Sequence, residues 1–189
     1  VLGQIPVVLT IHNLGYQGVF EPGVLDRVAL PYELFTIEGL EFYDKVNYLK
    51  GGIVFSNYIT TVSRKYAEEI QTPEYGHGLD GIIRTRSDYV TGVLNGVDYT
   101  EWNPESDKFL AANYSLKSLA GKQACKKDLL LQVNLPTDDL RKPVIGIVSR
   151  FAAQKGFDLI EEIADSLLQN DLYVVALGMG EPRYEELFR

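Results

Sequence analysis

Cysteine is nearly absent from this 189-residue chain: Cys125 stands alone, so no internal disulfide can form. One cysteine is at least consistent with a reducing compartment. Histidine is almost as scarce, with only His12 and His77, which leaves a structural zinc site too few ligands. Basic residues are outnumbered, 18 Lys and Arg against 26 Asp and Glu, for a formal net charge of -8. A general nucleic-acid binder needs a basic field to capture phosphates, so this balance argues against that class. It leaves room for a local cationic pocket that takes a small anion. No apolar run approaches the ~20 residues of a membrane span, and no signal-peptide pattern opens the chain. Methionine occurs once, at Met179, and the first residue is Val1. The last apparent helix, residues 181–189, has no stop signal, and the expectation is a fragment of something longer.

What is present is an ordinary globular composition, 46% hydrophobic and 23% charged, with no internal repeat or low-complexity tract. Short apolar runs at 6–11, 58–62, 89–94, 144–148 and 172–177 read as strands. Helical patterns lie between them, at 44–56, after the capping residue Ser63, from about 79 to 86, at 116–133, from Phe157 onward and at 181–189. In 44–56, Val46, Leu49 and Ile53 share a face, while Gly51 and Gly52 weaken the helix unless a neighbour packs closely there. The aromatic-rich stretch 31–42 reads as short helices. Strands alternating with helices predict a parallel α/β sheet. The stretch Asn95-Gly-Val-Asp-Tyr-Thr-Glu-Trp-Asn-Pro104 is the best candidate boundary, because Asn-Gly favours left-handed backbone and Asn-Pro stops regular structure.

The most informative segment is 143–158. Val144 to Val148 is rich in β-branched residues and reads as a buried parallel strand. A helix starting at Phe157 carries Phe157, Ile160, Ile163, Ala164, Leu167 and Leu168 on one face, with Asp158, Glu161, Glu162 and Asp165 opposite. Between the two, at the carboxyl end of the strand where α/β sheets bind ligands, sit Arg150 and Lys155. Two cations beside a helix N-terminus suit a phosphate or diphosphate, although solvated loop cations account for them too. His12 ends a strand and can donate to a substrate hydroxyl or move a proton; a histidine bonded to its own loop is the plainer account. Gly15 and Gly18 can shape a loop that presents Tyr16 and Gln17 to a sugar, or serve simply as turn residues. Asn95 faces a cleft or only makes its turn. Gly178-Met-Gly180 either lets backbone N–H groups approach a phosphate or makes a tight strand-to-helix turn. Lys122, Lys126 and Lys127 read as a solvated helix face. Lys50-Gly51-Gly52 sits inside a helical pattern and is discounted as a phosphate cradle.

Together, Thr10-Ile-His-Asn-Leu-Gly-Tyr-Gln-Gly18, Leu40-Glu-Phe42, Leu49-Lys50, Thr61-Val-Ser63, Leu94-Asn-Gly-Val-Asp98 and Ser149-Arg150 with Gln154-Lys-Gly156 resemble bacterial glycogen synthase and plant starch synthase. The resemblance runs through essentially the whole chain. It implies a GT-B architecture, two Rossmann-like domains facing one another across a cleft. Residues 1–98 would be the last part of the first, acceptor-side domain. Residues 99–189 would be the linker and the opening of the second, nucleotide-binding domain. It implies transfer of glucose from ADP-glucose to the non-reducing end of an α-1,4-glucan with retention, without metal or other cofactor. By position, His12 would meet the donor glucose and Arg150 and Lys155 would grip its diphosphate. Asn13, Asn95 and Gly180 would contact the donor, and Tyr16 and Gln17 the acceptor side. The partners implied are a nucleotide sugar and an α-glucan, with no nucleic acid and no membrane, in a bacterial cytoplasm or a plastid. The family's Lys-x-Gly-Gly motif would lie before Val1, and its Glu-containing and Thr-Gly-Gly donor motifs after Arg189. The free chain is therefore expected to be inactive. Two other readings are a different GT-B nucleotide-sugar transferase, sucrose-synthase-like, and a non-catalytic sugar- or nucleotide-binding remnant.

Overall fold

The computed structural model describes residues 5–188, and the chain divides into two units, Val1–Val97 and Asp98–Arg189. In chain order the first unit holds β1 (Val8–Ile11), β2 (Val19–Phe20), α1 (Val24–Arg27), a 3-10 turn at Tyr32–Leu34, β3 (Glu41–Phe42) and β4 (Lys45–Asn47). It continues with α2 (Tyr48–Phe55), β5 (Tyr58–Thr61), α3 (Arg64–Glu69), α4 (Asp80–Thr85) and β6 (Val90–Gly92). β1, β5 and β6 form a parallel sheet with β5 at its centre, in a register that sets Ile11 beside Thr61 and Thr61 beside Gly92. The core gathers on this sheet: Ile59 of the central strand packs with Ile11, Leu14, Ile53, Ile70, Leu79 and Ile83. β2, β4 and β3 make a small antiparallel sheet over a second cluster, Leu25, Leu40 and Val46.

The glycines of α2 have the close neighbours that a helix interior requires of them. A Cβ on Gly51 would lie 2.2 Å from Leu40 Cδ2, and one on Gly52 would lie 3.2 Å from Leu9 Cδ1. The helix begins later than the expected residue 44. Val46 is fully buried and pairs in the small sheet, and the Asn47 side chain caps α2 by accepting the Lys50 N–H at 2.9 Å. Ser63 caps α3 as expected, accepting the Tyr66 N–H at 3.0 Å. Residues 31–42 supply only the 3-10 turn before β3, not several helices.

The second unit holds α5 (Gly121–Gln132), β7 (Val144–Val148), a 3-10 turn at Ala153–Lys155, α6 (Phe157–Leu168), β8 (Tyr173–Leu177) and α7 (Pro182–Leu187). β7 and β8 pair in parallel, joined through α6 in a β-α-β crossover. Phe151, Phe157 and Tyr184 form the core here. Three expectations are corrected. β7 is parallel but not buried throughout, with Val148 81% exposed. α5 starts at Gly121 instead of 116, because Ser115 and Ser118 exchange backbone hydrogen bonds in a turn. Lys126 is not a solvated cation: its ammonium donates to the carbonyls of Leu140 and Lys142, both at 2.6 Å, and so ties α5 to the entry of β7. On α6, Phe157 is buried whereas Ile163 and Leu168 remain exposed.

Candidate functional site

His12 stands one residue past β1, exposed at the carboxyl edge of the first unit's sheet. Its foundation is rigid. The buried Thr61 hydroxyl donates to the Ile11 carbonyl at 2.9 Å. Leu14, fully buried, roots the loop that follows, and its N–H donates to the Tyr66 hydroxyl at 2.9 Å. Since Ser63 fixes the first turn of α3, the cap also positions the tyrosine that holds this loop. Within the loop, Asn13 Oδ1 accepts the Gly15 N–H at 2.9 Å, an Asx turn that leaves the amide NH2 for a ligand.

Gln17 and Tyr16 take opposite places. Tyr16 is 69% exposed, whereas Gln17 is only 8% exposed. Gln17 Oε1 accepts from Asn47 Nδ2 at 2.7 Å, and Gln17 Nε2 donates to the His77 carbonyl at 3.0 Å. Its amide therefore works inside the protein, joining the 12–18 loop to the start of α2 and to the loop before α4. Gly18 adopts φ 64, the left-handed turn that brings its carbonyl to the Tyr48 N–H at 3.2 Å. His77 was not singled out by the sequence, yet its ring lies 4.0 Å from where a Gly15 Cβ would stand. The flanking Gly76 and Gly78 were the available signal.

Asn95 is exposed, three residues past β6, after Val93 extends the pairing by donating to the Thr61 carbonyl at 2.7 Å. His12 and Asn95 thus follow the two strands that flank β5, on one edge and roughly 10 Å apart laterally by strand spacing.

In the second unit, Arg150 and Lys155 are both exposed on the loop between β7 and α6. The loop is held from within by Phe151, whose ring lies 4.7 Å from that of Phe157. Pairing continues past the strands: the Phe151 N–H donates to the Met179 carbonyl at 2.9 Å, and the Glu181 N–H to the Phe151 carbonyl at 2.7 Å. Gly156 at φ 79 turns the chain into α6, and no side chain caps that helix, so its first-turn N–H groups remain available beside Lys155.

Gly178 and Gly180 are explained by the turn. A Cβ on Gly178 would fall 1.8 Å from the Ser149 carbonyl oxygen, and one on Gly180 would fall 2.0 Å from that of Phe151. The Gly180 N–H is already bonded, to Glu185 Oε1 at 2.9 Å, and the Ala153 N–H donates to Glu181 Oε1 at 3.3 Å. An anion using either N–H must displace a carboxylate. The Arg150 fork, the Lys155 ammonium and the open end of α6 are the groups best suited to a diphosphate. Near the junction, the Asp98 carboxylate accepts from the Thr100 hydroxyl at 2.6 Å and its N–H at 2.8 Å, and these bonds hold it below the ordinary carboxylate range. Among the described residues no group of three or more His, Cys, Asp or Glu is placed to hold a metal ion, and no helix is long and apolar enough to cross a membrane.

Residues 1–85 match the family model of the starch synthase catalytic domain. The chain is 55% identical over 183 residues to a glycogen synthase of Koribacter versatilis, covering 97% of this chain and 37% of that protein. It is 50% identical over 184 residues to a glycogen synthase of Thermosipho africanus, covering 97% and 38%. It thus spans less than two fifths of the length of these relatives. Among solved structures, the catalytic domain of starch synthase IV from Arabidopsis thaliana, bound to ADP and acarbose, matches with a TM-score of 0.90 and 35% identity, over 97% of this chain and 38% of that one. The parallel α/β organisation of this chain is that of the GT-B catalytic domain. Over nearly its whole length, in sequence and in fold, the chain matches the glycogen synthase and starch synthase family.

Proposed function

We propose that this chain is part of a retaining glucosyltransferase that moves glucose from ADP-glucose to the non-reducing end of an α-1,4-glucan. The observation that carries the proposal is the loop after β7. It exposes Arg150 and Lys155 beside an uncapped helix N-terminus while Phe151 pins it to the core. The ADP and acarbose bound to the Arabidopsis relative support a nucleotide and a glucan as the ligands. In this reading residues 1–98 belong to the acceptor-side domain and residues 99–189 open the nucleotide-binding domain. A cytoplasmic enzyme accords with the bacterial relatives.

The chemistry follows from charge. As the bond from sugar to phosphate breaks, negative charge grows on the leaving diphosphate and positive charge on the sugar ring. Cations fixed beforehand around the phosphates stabilise that separation more than they stabilise the intact donor, which lowers the barrier. Arg150 grips two oxygens in a fork, and Lys155 adds a point charge. His12 and Asn95, on one sheet edge, hydrogen-bond the donor sugar, and Asn13 offers its NH2. The amides of Asn95 and Asn13 carry no charge that would repel the developing oxocarbenium ion. Tyr16 presents a ring to the acceptor, and Gln17 supports it from beneath. Charge stabilisation by the side chains needs no metal.

The test is glucosyl transfer from ADP-glucose to maltooligosaccharide by the full-length enzyme, with the anomeric configuration of the product read by NMR. An α-linked product supports the reading; a β-linked product or no transfer opposes it. The 189-residue chain alone is expected to show no transfer, and measurable turnover by it would contradict that part.

A further inference from the structure

His77 places a ring where the backbone favours a smaller residue. Its φ of 49 lies in the left-handed region, and Gly78 follows at φ 80. Glycine or asparagine adopts that conformation at less cost. The segment has little freedom to relax. The Gly76 N–H donates to the Thr72 carbonyl at 2.8 Å, and the Leu79 N–H donates to the Gly76 carbonyl at 2.8 Å. Leu79 itself is buried in the core, and a Cβ on Gly76 would stand 2.3 Å from Asp80 Cβ, so the entry to α4 packs tightly on this turn. Strain held in place by its surroundings is characteristic of positions whose side chain is used.

The side chain reaches the loop that carries His12 and Asn13. Cε1 and Nε2 of the ring lie 4.0 Å from where a Gly15 Cβ would stand, and the same point is 3.1 Å from Asn13 Oδ1. The ring therefore backs the Asx turn in which Asn13 Oδ1 accepts the Gly15 N–H at 2.9 Å. The backbone of His77 holds the other end of that loop, since its carbonyl accepts from Gln17 Nε2 at 3.0 Å. Ring and carbonyl thus brace residues 13–17 at two points. Any residue at 77 supplies the carbonyl; only an aromatic side chain supplies the ring. With Oδ1 fixed in the turn, the orientation of the Asn13 NH2 is fixed as well.

We infer that His77 is a positioning residue for the transfer reaction: its ring packs on the Asn13–Gly15 turn and holds the Asn13 amide in its working orientation, without itself touching a sugar. The inference rests on the glucosyltransferase reading above. The experiment measures kcat, KM for ADP-glucose and the denaturation midpoint of the full-length enzyme as wild type, His77→Gly and His77→Phe. Glycine removes the ring, keeps the carbonyl and relieves the left-handed strain, and because His77 is exposed no core cavity opens. In His77→Gly, kcat should fall about tenfold at nearly constant KM, since the grip on the diphosphate is untouched. The midpoint should be no lower than wild type, and kcat should return in His77→Phe, which keeps a flat ring. Wild-type kcat in His77→Gly, with or without a change in KM, overturns the positioning role and leaves the transferase reading intact. A loss that His77→Phe does not restore also overturns it, because the imidazole itself then serves the reaction. A loss accompanied by a lowered midpoint assigns the ring to folding and overturns it too. A wild-type enzyme that transfers no glucose overturns the transferase reading and this inference together.

Discussion

Asn47 donates its side-chain amide to Gln17 Oε1 at 2.7 Å, a buried bond between residues thirty apart in sequence. The bond joins the helix that Asn47 caps to the loop that presents Tyr16, and Gln17 then reaches the His77 carbonyl. Three segments of the first unit are fixed by one side chain.

Replacing Gln17 with Leu strands the buried Asn47 NH2 and removes the donor to the part-buried His77 carbonyl. The expected cost is about 1–3 kcal/mol for the unpaired Asn47 amide, partly offset by apolar burial. Chemical denaturation of the full-length enzyme should show the loss, and KM for glucan should rise as the Tyr16 loop loosens. Unchanged stability with unchanged KM would remove Gln17 from this supporting role.

Gly178 tests whether its loop is shaped by packing. With the Ser149 carbonyl oxygen 1.8 Å from any Cβ, Gly178→Ala must force the β7 and β8 exits apart. The expected loss is on the order of 3 kcal/mol, the upper end for overpacking. Hydrogen exchange should accelerate at Ser149 and Phe151, whose N–H groups bond across to Leu177 and Met179. Native protection in the variant would contradict the close packing assigned to this turn.

Asp98 gives a pH signature. Its carboxyl is held below the ordinary range first by the Thr100 hydroxyl and then by backbone N–H groups. A carboxylate depressed on folding contributes stability above its unfolded pKa, about 3.9, and loses it as pH falls through the lower folded value. The Thr100 amide resonance should stay put from neutral pH down to about that pH and move only below it. Movement centred above the ordinary carboxylate range would contradict the assigned hydrogen bonds.

Part of this architecture is legible in the sequence because it is local. Val144 to Val148 announces its strand by β-branching, Ser63 announces its cap by position, and the apolar period from Phe157 fixes the start of α6. The hairpin at Tyr43 and Asp44 is hidden, since neither residue is the glycine that a left-handed turn invites. Lys126 looked solvated because its carbonyl partners lie 14 and 16 residues onward. The Gln17 network joins positions 30 and 60 residues apart, which no periodicity encodes. The position of Arg150 and Lys155 on a strand-to-helix loop was legible because strand, loop and helix follow directly on one another. The occupied Gly180 N–H was not, because its partner Glu185 sits on the next helix.

In the proposed reaction the Lys155 ammonium meets the diphosphate of the donor. Lys155 is exposed and lies outside the core cluster of Phe151, Phe157 and Tyr184, so Lys155→Ala should fold normally by circular dichroism. The direct measurement is kcat for transfer from ADP-glucose by the full-length enzyme carrying Lys155→Ala. A fall of at least about 100-fold with the fold intact is the predicted result; turnover equal to wild type would contradict the diphosphate clamp.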